Sequence, residues 1–288
     1  MSPPKFTVVT PTYNQGMYIE RTIDSVLSQG DPNLEYIIID GGSTDDTVEI
    51  IKKYERHLAY WVSEKDRGQS HAINKGMGKS TGEYLTWLNS DDWYLPGAMQ
   101  TMRELFEANP QAGMVVGAGR IVNPNGEEVY YKTPPREITM ESLYRWMRGG
   151  NFMQPSSAFR RSAWEAAGSI NEDIHIALDV DLWLNMAQAG VQFAVTDHLL
   201  SEALRHPDAI TTAYRALMQL DCALVIIKHG GEKVVRPQLD QMVARYAWYQ
   251  KNYEAIVNNP FLKFIRPLVK RLSSEGNYWN DQIPPWVK

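Results

Sequence analysis

Apolar residues in the first third of the chain follow two alternating rhythms. Phe6 to Thr10 is a short β-branched run stopped by Pro11, and Ile19, Ile23, Val26 and Leu27 then recur at helical spacing. Tyr36-Ile-Ile-Ile runs unbroken into Asp40 and ends at Gly41-Gly42, the pattern of a strand covered on both faces. Ser43 to Thr47 supplies N-cap residues ahead of Val48, Ile51 and Tyr54. The same reading predicts strands over Leu58 to Val62, Tyr84 to Leu88 and Gly113 to Ala118, with helices over Ala72 to Lys79 and Gly97 to Ala108. Strands alternating with helices of this length predict a parallel sheet with crossover helices.

Beyond Asn123 the rhythm changes. A polar hairpin or loop is followed by a strand over Gln154 to Phe159, helices around Arg161 to Ala167 and Asp181 to Ala189, and a late strand over Val191 to Val195. From about Thr211 the text is almost wholly helical, with helices expected over Thr212 to Ile227 and Gln238 to Ile256. Phe261, Ile265, Leu268 and Leu272 share one face of a further helix, and Lys263, Arg266, Lys270 and Arg271 lie largely elsewhere. Such a segment either packs on the domain, kinked near Pro267, or lies on an anionic membrane surface. The tail from Tyr278 to Trp286 is too rich in proline and aromatics for a regular element. The expected organisation is an α/β domain over residues 1–210 and a helical C-terminal extension over 211–288.

Composition narrows the partners. A net charge of −5 provides no global basic field and argues against nucleic acid. No stretch approaches the ~20 apolar residues needed to span a bilayer. The N-terminus shows no charged region followed by an apolar one, so no secretory signal is expected. The single cysteine, Cys222, reads as a small buried hydrophobe and fits a reducing compartment. A cytoplasmic location is expected, with peripheral contact at the inner membrane face through the C-terminal segment as the alternative.

In a parallel α/β sheet, ligands bind beyond the carboxyl ends of the strands. Those ends carry Thr10-Pro-Thr-Tyr-Asn14, Asp40-Gly-Gly-Ser43, Glu64-Lys-Asp-Arg-Gly-Gln69 and Asn89-Ser-Asp-Asp92. Any one of them is explained as well by helix and turn capping. Four on one edge outline a polar, acidic cleft. Adjacent carboxylates at Asp91 and Asp92 repel unless a cation neutralises them, and oxygen ligands of this kind suit Mg²⁺ or Mn²⁺ with substrate phosphates.

Thr10-Pro-Thr-Tyr-Asn14, Asp40-Gly-Gly-Ser-Thr-Asp-Asp-Thr47, Asp66-Arg-Gly68 with Ala72-Ile-Asn-Lys-Gly76, and Trp87-Leu-Asn-Ser-Asp-Asp92 resemble, in order and approximate spacing, the motifs of the family 2 glycosyltransferases of GT-A fold. The resemblance covers about residues 5 to 210. It implies an inverting, metal-dependent transfer of a sugar from a nucleotide-diphosphate donor, a UDP-sugar favoured, to a saccharide or lipid-linked acceptor in surface polysaccharide or glycoconjugate synthesis. Pro11, Thr12, Tyr13 and Asn14 are then expected to line the nucleotide pocket, and Asp40 to accept a hydrogen bond from the base. Asp66, Arg67 and Gly68 are expected near the phosphates, with Gly42, Ser43, Asn74 and Ser90 among the donor-binding residues. Asn89-Ser90-Asp91 stands at the family's Asp-x-Asp motif, where Asp91 ligates Mn²⁺ or Mg²⁺ and Asn89 replaces the first acid. His71 stands where many relatives carry an acidic residue.

Inversion needs a base to take the acceptor's hydroxyl proton. Ala177-Leu-Asp-Val-Asp-Leu-Trp-Leu184 resembles the family's acidic segment, and Asp179 occupies the base position. Residues i and i+2 of a helix point to different sides, which leaves Asp181 to cap the helix or brace a cation. Arg205-His206-Pro207 resembles a later loop motif, making His206 a candidate metal ligand or pyrophosphate contact, with a surface histidine as the alternative. Gln154 and Asp92 are candidates for donor or acceptor sugar contacts. Trp183 is a candidate sugar platform or a core residue. His57, His71, His175, His198 and His229 are expected to be structural or solvated. A non-catalytic sugar-nucleotide or glycan-binding protein of the same fold is the alternative function. The first strand lacks a following Gly-x-Gly-x-x-Gly, which weakens an oxidoreductase reading.

Overall fold

The computed structural model describes residues 4–148, 152–207 and 209–258. The amphipathic segment expected over 261–272 and the tail beyond it lie outside the described residues. The elements in chain order are β1 (Phe6–Thr12), α1 (Ile19–Leu27), β2 (Leu34–Asp40), α2 (Thr47–Lys53), β3 (Tyr60–Ser63), α3 (Gln69–Lys79), β4 (Tyr84–Trp87) and β5 (Asp92–Tyr94). There follow α4 (Ala98–Ala108), β6 (Ala112–Val122), β7 (Glu128–Lys132), α5 (Met140–Tyr144), β8 (Ser157–Arg160), α6 (Arg161–Ala167), α7 (Leu178–Gln188), β9 (Gln192–Leu204), α8 (Ile210–Ala213), α9 (Arg215–Lys228) and α10 (Glu232–Asn258).

One sheet runs in the order β3-β2-β1-β4-β8-β6-β9-β5, with β7 paired to β6. The β3-β2-β1-β4 half is parallel, as the alternating pattern predicts. The second half is mixed: β8 runs antiparallel to both β4 and β6, β5 antiparallel to β9, and only β6 and β9 pair in parallel. The parallel expectation fails here because crossover helices no longer separate every strand. The β6–β7 hairpin turns at Asn123–Glu127, where the Asn123 side chain accepts from the backbone N–H groups of Asn125 and Glu127.

Alternate residues of each buried strand serve opposite cores. Val9, Ile37 and Ile39 pack with α3, α7 and α9, while Phe6, Val8, Tyr36 and Ile38 pack with α1, α2 and α4. Gly76 lets α3 lie close on β1, since a Cβ there would sit 2.4 Å from Val9 Cγ1. Cys222, Val225 and Ile226 of α9 belong to the same core as β1 and β4, and Cys222 is buried as expected. No helix among the described residues is long and apolar enough to cross a membrane.

Candidate active site

Strand register brings the first two motifs together. Thr12 pairs with Asp40, and Asp40 with Ser63, so the ends of β1, β2 and β3 are level. Asp40 is fully buried. Its Oδ2 accepts from Gly42 N (3.1 Å), Ser43 N (2.9 Å) and Ser63 Oγ (2.6 Å), and Ser43 Oγ donates to Oδ1. Asp40 therefore braces the loop after β2. Asn14 holds a left-handed backbone, φ 51°, which asparagine tolerates better than most residues. Its N–H donates to Ser43 Oγ (2.7 Å), and its Oδ1 accepts from Thr44 N (2.9 Å). Gln15 N donates to Thr47 Oγ1 and Gly16 N to Asp45, completing the seam between the two loops. Pro11 and Thr12 are buried beside it, and Tyr13 projects outward.

The third cluster forms the turn just ahead of α3, whose N-cap is Gly68. Asp66 Oδ1 accepts from Gly68 N (2.8 Å), and its other oxygen lies where a Cβ on Gly41 would meet it at 2.9 Å, so the β2 loop needs glycine there. Arg67 is largely exposed and pairs with Glu172 (Nε to Oε2, 3.0 Å). Burial raises the Glu172 carboxyl, but hydrogen bonds from Arg67 and Asn74 and the Arg67 charge outweigh it and hold the group below the usual range. Asn74 binds the segment ahead of α7. Its Oδ1 accepts from Ile170 N (3.0 Å) and its Nδ2 donates to Ile170 O (2.8 Å), so both halves of its amide fasten the 170–172 segment.

The fourth cluster is drawn together across the sheet. Asp92 opens β5, which pairs with the end of β9 at Ala203, and β9 delivers His206 to Asp91 across 115 positions of sequence (Nε2 to Oδ2, 3.2 Å). The His206 ring packs on Tyr18 at 4.6 Å, and its Nδ1 is buried without a partner. Asp91 keeps 22% of its side chain exposed. Asp92 is buried, and its carboxyl accepts from within the protein: Asn89 Nδ2 donates to its Oδ2 (3.2 Å), while Gln69 Nε2 donates to Asn89 Oδ1 (2.7 Å). Burial first, and the neighbouring Asp91 charge second, push the Asp92 carboxyl well above the usual range. Ser90 is buried between them.

Asp91 and His206 supply one carboxylate oxygen set and one imidazole. Among the described residues no group of three His, Cys, Asp or Glu side chains gathers around a point. That donor set fits Mg²⁺ or Mn²⁺, which take one or two protein carboxylates and complete their shell with water and phosphate. His206 turns Nε2 toward Asp91 Oδ2, so the carboxylate and the imidazole stand side by side as a pair of donor groups.

Asp179 lies in the first turn of α7, partly buried, with Val180 N donating to its Oδ1 (2.8 Å). Burial pushes its carboxyl up to about 6, against the lowering effect of the Val180 and Asp179 backbone N–H groups. Asp181 faces α9, where His229 Nε2 and Lys228 Nζ, each at 2.9 Å, meet its Oδ1. Burial raises Asp181, yet these two partners bring it below the usual range. His229 is thus tied into the α7–α9 contact. Asp221 of α9 accepts from Ile176 N (3.3 Å), just ahead of α7.

Trp183 is a core residue, not a sugar platform. It has no exposed surface and stacks on Trp87 at 5.5 Å with Phe152 and Phe159 around it, so neither ring face is open to a ligand. Gln154 donates from Nε2 to Trp87 O (2.8 Å), at the end of β4, and its Oε1 is buried without a partner.

Thr12 Oγ1, Gln15 Oε1, His71 Nδ1, Gln154 Oε1 and His206 Nδ1 all share that condition. Each belongs to a strand end, to the loop after one, to the first turn of α3 or to the turn just ahead of β8. A buried polar atom without a partner costs about 1–3 kcal/mol; Trp183 Nε1 in the core is a sixth such atom, and the other five stand in or beside the loops that carry the sequence motifs. Gln15 was not among the expected site residues, although it directly follows the Thr10–Asn14 motif. Gln69 stood at the end of the third cluster, whereas Tyr18 and Glu172 carried no motif signal, because their roles arise from contacts distant in sequence.

A parallel β1–β4 half-sheet with a carboxylate pair after its fourth strand, extended by an antiparallel-linked second half, is the GT-A fold of glycosyltransferases. The chain belongs to glycosyl transferase family 2, whose profile matches residues 7–167. It is 27% identical over 227 residues to an uncharacterised glycosyltransferase of Rickettsia typhi, covering 76% of this chain and 69% of that one. It is 31% identical over 191 residues to the chondroitin synthase of Pasteurella multocida, covering 65% of this chain and only 19% of that protein. A Campylobacter jejuni protein named GalNAc(5)-diNAcBac-PP-undecaprenol β-1,3-glucosyltransferase is 25% identical over 88% of this chain and 86% of its own. Among solved structures, Staphylococcus aureus TarS in complex with UDP superposes with a TM-score of 0.61 at 19% identity, over 95% of this chain and 89% of that one. A mannosyltransferase from Pyrobaculum calidifontis in complex with GDP-Man and Mn²⁺ gives 0.59 at 18% identity, over 97% and 88%.

Proposed function

We propose that the chain is an inverting glycosyltransferase that moves a sugar from a nucleotide-diphosphate donor, with UDP-sugars favoured, to a hydroxyl of a saccharide or lipid-linked acceptor. The observation that carries this reading is the gathering of the Thr12–Gln15, Asp40–Ser43 and Asn89–Asp91 loops at the carboxyl ends of β1, β2 and β4, with His206 brought to Asp91, in a chain of family 2. The structural neighbours bound to UDP, UDP-GlcNAc and GDP-Man support a nucleotide sugar as the ligand, and the Campylobacter relative's name supports a lipid-linked acceptor.

In this reading Thr12, Tyr13, Asn14 and Gln15 border the nucleotide, while Asp66, Arg67 and Gly68 stand toward the phosphates. Asp40, with Gly42 and Ser43, fixes the shape of the loop rather than offering a free carboxylate. Asp91 and His206 are the residues that would hold Mn²⁺ or Mg²⁺, and the bound ion would offset charge on the departing diphosphate. Gln154 Oε1 accepts from a hydroxyl of the transferred or the accepting sugar. Asp179 takes the acceptor's hydroxyl proton as the acceptor oxygen bonds to the anomeric carbon. The bond from that carbon to the diphosphate breaks on the opposite face, which inverts the centre. A carboxyl raised to about 6 is ionised at neutral pH yet basic enough to receive a proton.

Screening nucleotide sugars for thermal stabilisation with and without Mn²⁺ identifies the donor, because a ligand that binds only the folded state raises its apparent stability. Transfer by the parent and by Asp179→Asn is then compared with that donor. The proposal expects retained donor binding with transfer reduced by about 10²-fold or more. Donor binding with no transfer by the parent to any acceptor would instead identify a binding protein of the same fold.

A further inference from the structure

Beyond Gln241 nearly every described side chain of α10 is exposed. Val243 (67%), Tyr246 (62%) and Tyr249 (59%) recur at helical spacing with Leu239 and Met242, forming one apolar and aromatic stripe. Trp248 is also exposed, on another side of the helix, and the adjacent α9 adds exposed Leu220 and Leu224. Basic residues border the stripe. Arg245 lies on one side, Lys251 further round, and Arg236 on the other side near Glu232 and Asp240 at 3.9 Å.

Charge is segregated along the chain in the same direction. Residues 232–288 hold nine basic and five acidic side chains, whereas residues 1–231 hold twenty basic and twenty-nine acidic. A net-acidic body therefore ends in a net-basic, aromatic-rich extension. Tyrosine and tryptophan place a ring among acyl chains and a polar tip among headgroups, and flanking bases meet anionic lipid. Within α10 itself, Arg245 and Lys251 follow Asp240, so these basic side chains fall in the same half of the helix as the exposed aromatics.

We infer that the exposed face of α10 docks on an anionic lipid bilayer, lying along it rather than crossing it. Because α9 grips α7 through Lys228, His229 and Asp181, docking would also hold the helix that carries Asp179 near that surface. That last step rests on the transferase reading and brings with it an acceptor carried on a lipid; the docking itself does not depend on turnover.

The test is flotation of the full chain, without donor or acceptor, with vesicles of phosphatidylcholine alone or mixed with phosphatidylglycerol. The chain is expected to float with the mixed vesicles, less so as salt rises, and not with phosphatidylcholine alone. Val243→Asp/Tyr246→Asp/Tyr249→Asp, at exposed positions, should lower the floated fraction about tenfold with an unchanged melting temperature, and Arg245→Glu/Lys251→Glu should do so at low salt. Absence of flotation with the mixed vesicles would overturn the inference, as would equal flotation of the triple variant. So would a parent dimer that the triple variant converts to monomer without vesicle binding, which would assign the face to a second copy. Donor-induced thermal stabilisation, measured separately, reports on the transferase reading alone.

Discussion

Replacing Asp179 by asparagine should remove activity and add stability at the same time. Burial raises this carboxyl from the ordinary 3.8 to about 6. An acid raised on folding is tolerated while protonated, so its favourable contribution is complete below about pH 3.8 and is lost as pH climbs through 6. At about 1.4 kcal/mol per pH unit, that interval amounts to about 3 kcal/mol of destabilisation carried by the ionised parent above pH 7. Asparagine keeps an acceptor for Val180 N without the charge. It gives up roughly 0.3–1 kcal/mol of favourable interaction with the helix N-terminus. The expected net gain is about 2 kcal/mol, or roughly 4 °C in a chain of this size. Thermal melts of both proteins from pH 4 to 8 should show curves that coincide near pH 4 and diverge upward through pH 6. The parent's transfer rate should rise over the same window as the base ionises. A gap between the two proteins that is constant from pH 4 to 8 would refute the burial argument and, with it, the assignment of a base titrating near 6.

Asp91→Ala should abolish any Mn²⁺-dependent gain in donor affinity; titration calorimetry giving equal parent affinities with and without Mn²⁺ would remove the metal from the site. Arg103→Met should cost about 3–5 kcal/mol in urea denaturation, because it strands the buried Asp31 carboxylate that Arg103 now pairs at 2.7 and 2.9 Å. Gly76→Ala should cost about 1–3 kcal/mol by pushing α3 off Val9, again read by denaturation, and no loss would mean the helix can shift freely.

Legibility followed the locality of the interactions. The four strands from Phe6 to Trp87 and the loops after them announced themselves, since periodicity and turn residues act within a few positions. β5 did not, because Asp92, Trp93 and Tyr94 become a strand only by pairing with Ser201 to Ala203. β9 continues to Leu204, nine residues past the expected end, for the same reason: β6 and β5 support its second half. Helical spacing could not tell which way Trp183 faces, and stacking on Trp87 decides it. Asn74 sits inside a motif associated with donor binding, yet its orientation is set by the 170–172 segment, 96 positions away. The approach of His206 to Asp91 was indicated by resemblance alone, since no local pattern links positions 91 and 206.

The clasp of Asn74 and Arg67 on Ile170 and Glu172 bears on how this molecule could be recombined with its relatives. The family profile stops at residue 167, and the helix with Asp179 begins eleven residues later. A chimera joined at 167 follows the edge of the family profile, but it would part α3 from the segment it fastens. Grafts that carry residues 168–175 with the N-terminal half should keep the clasp intact. Grafts that take them from the other parent must bring a compatible pair for Arg67 and Asn74, or the incoming helix with its aspartate will start from an unanchored strap.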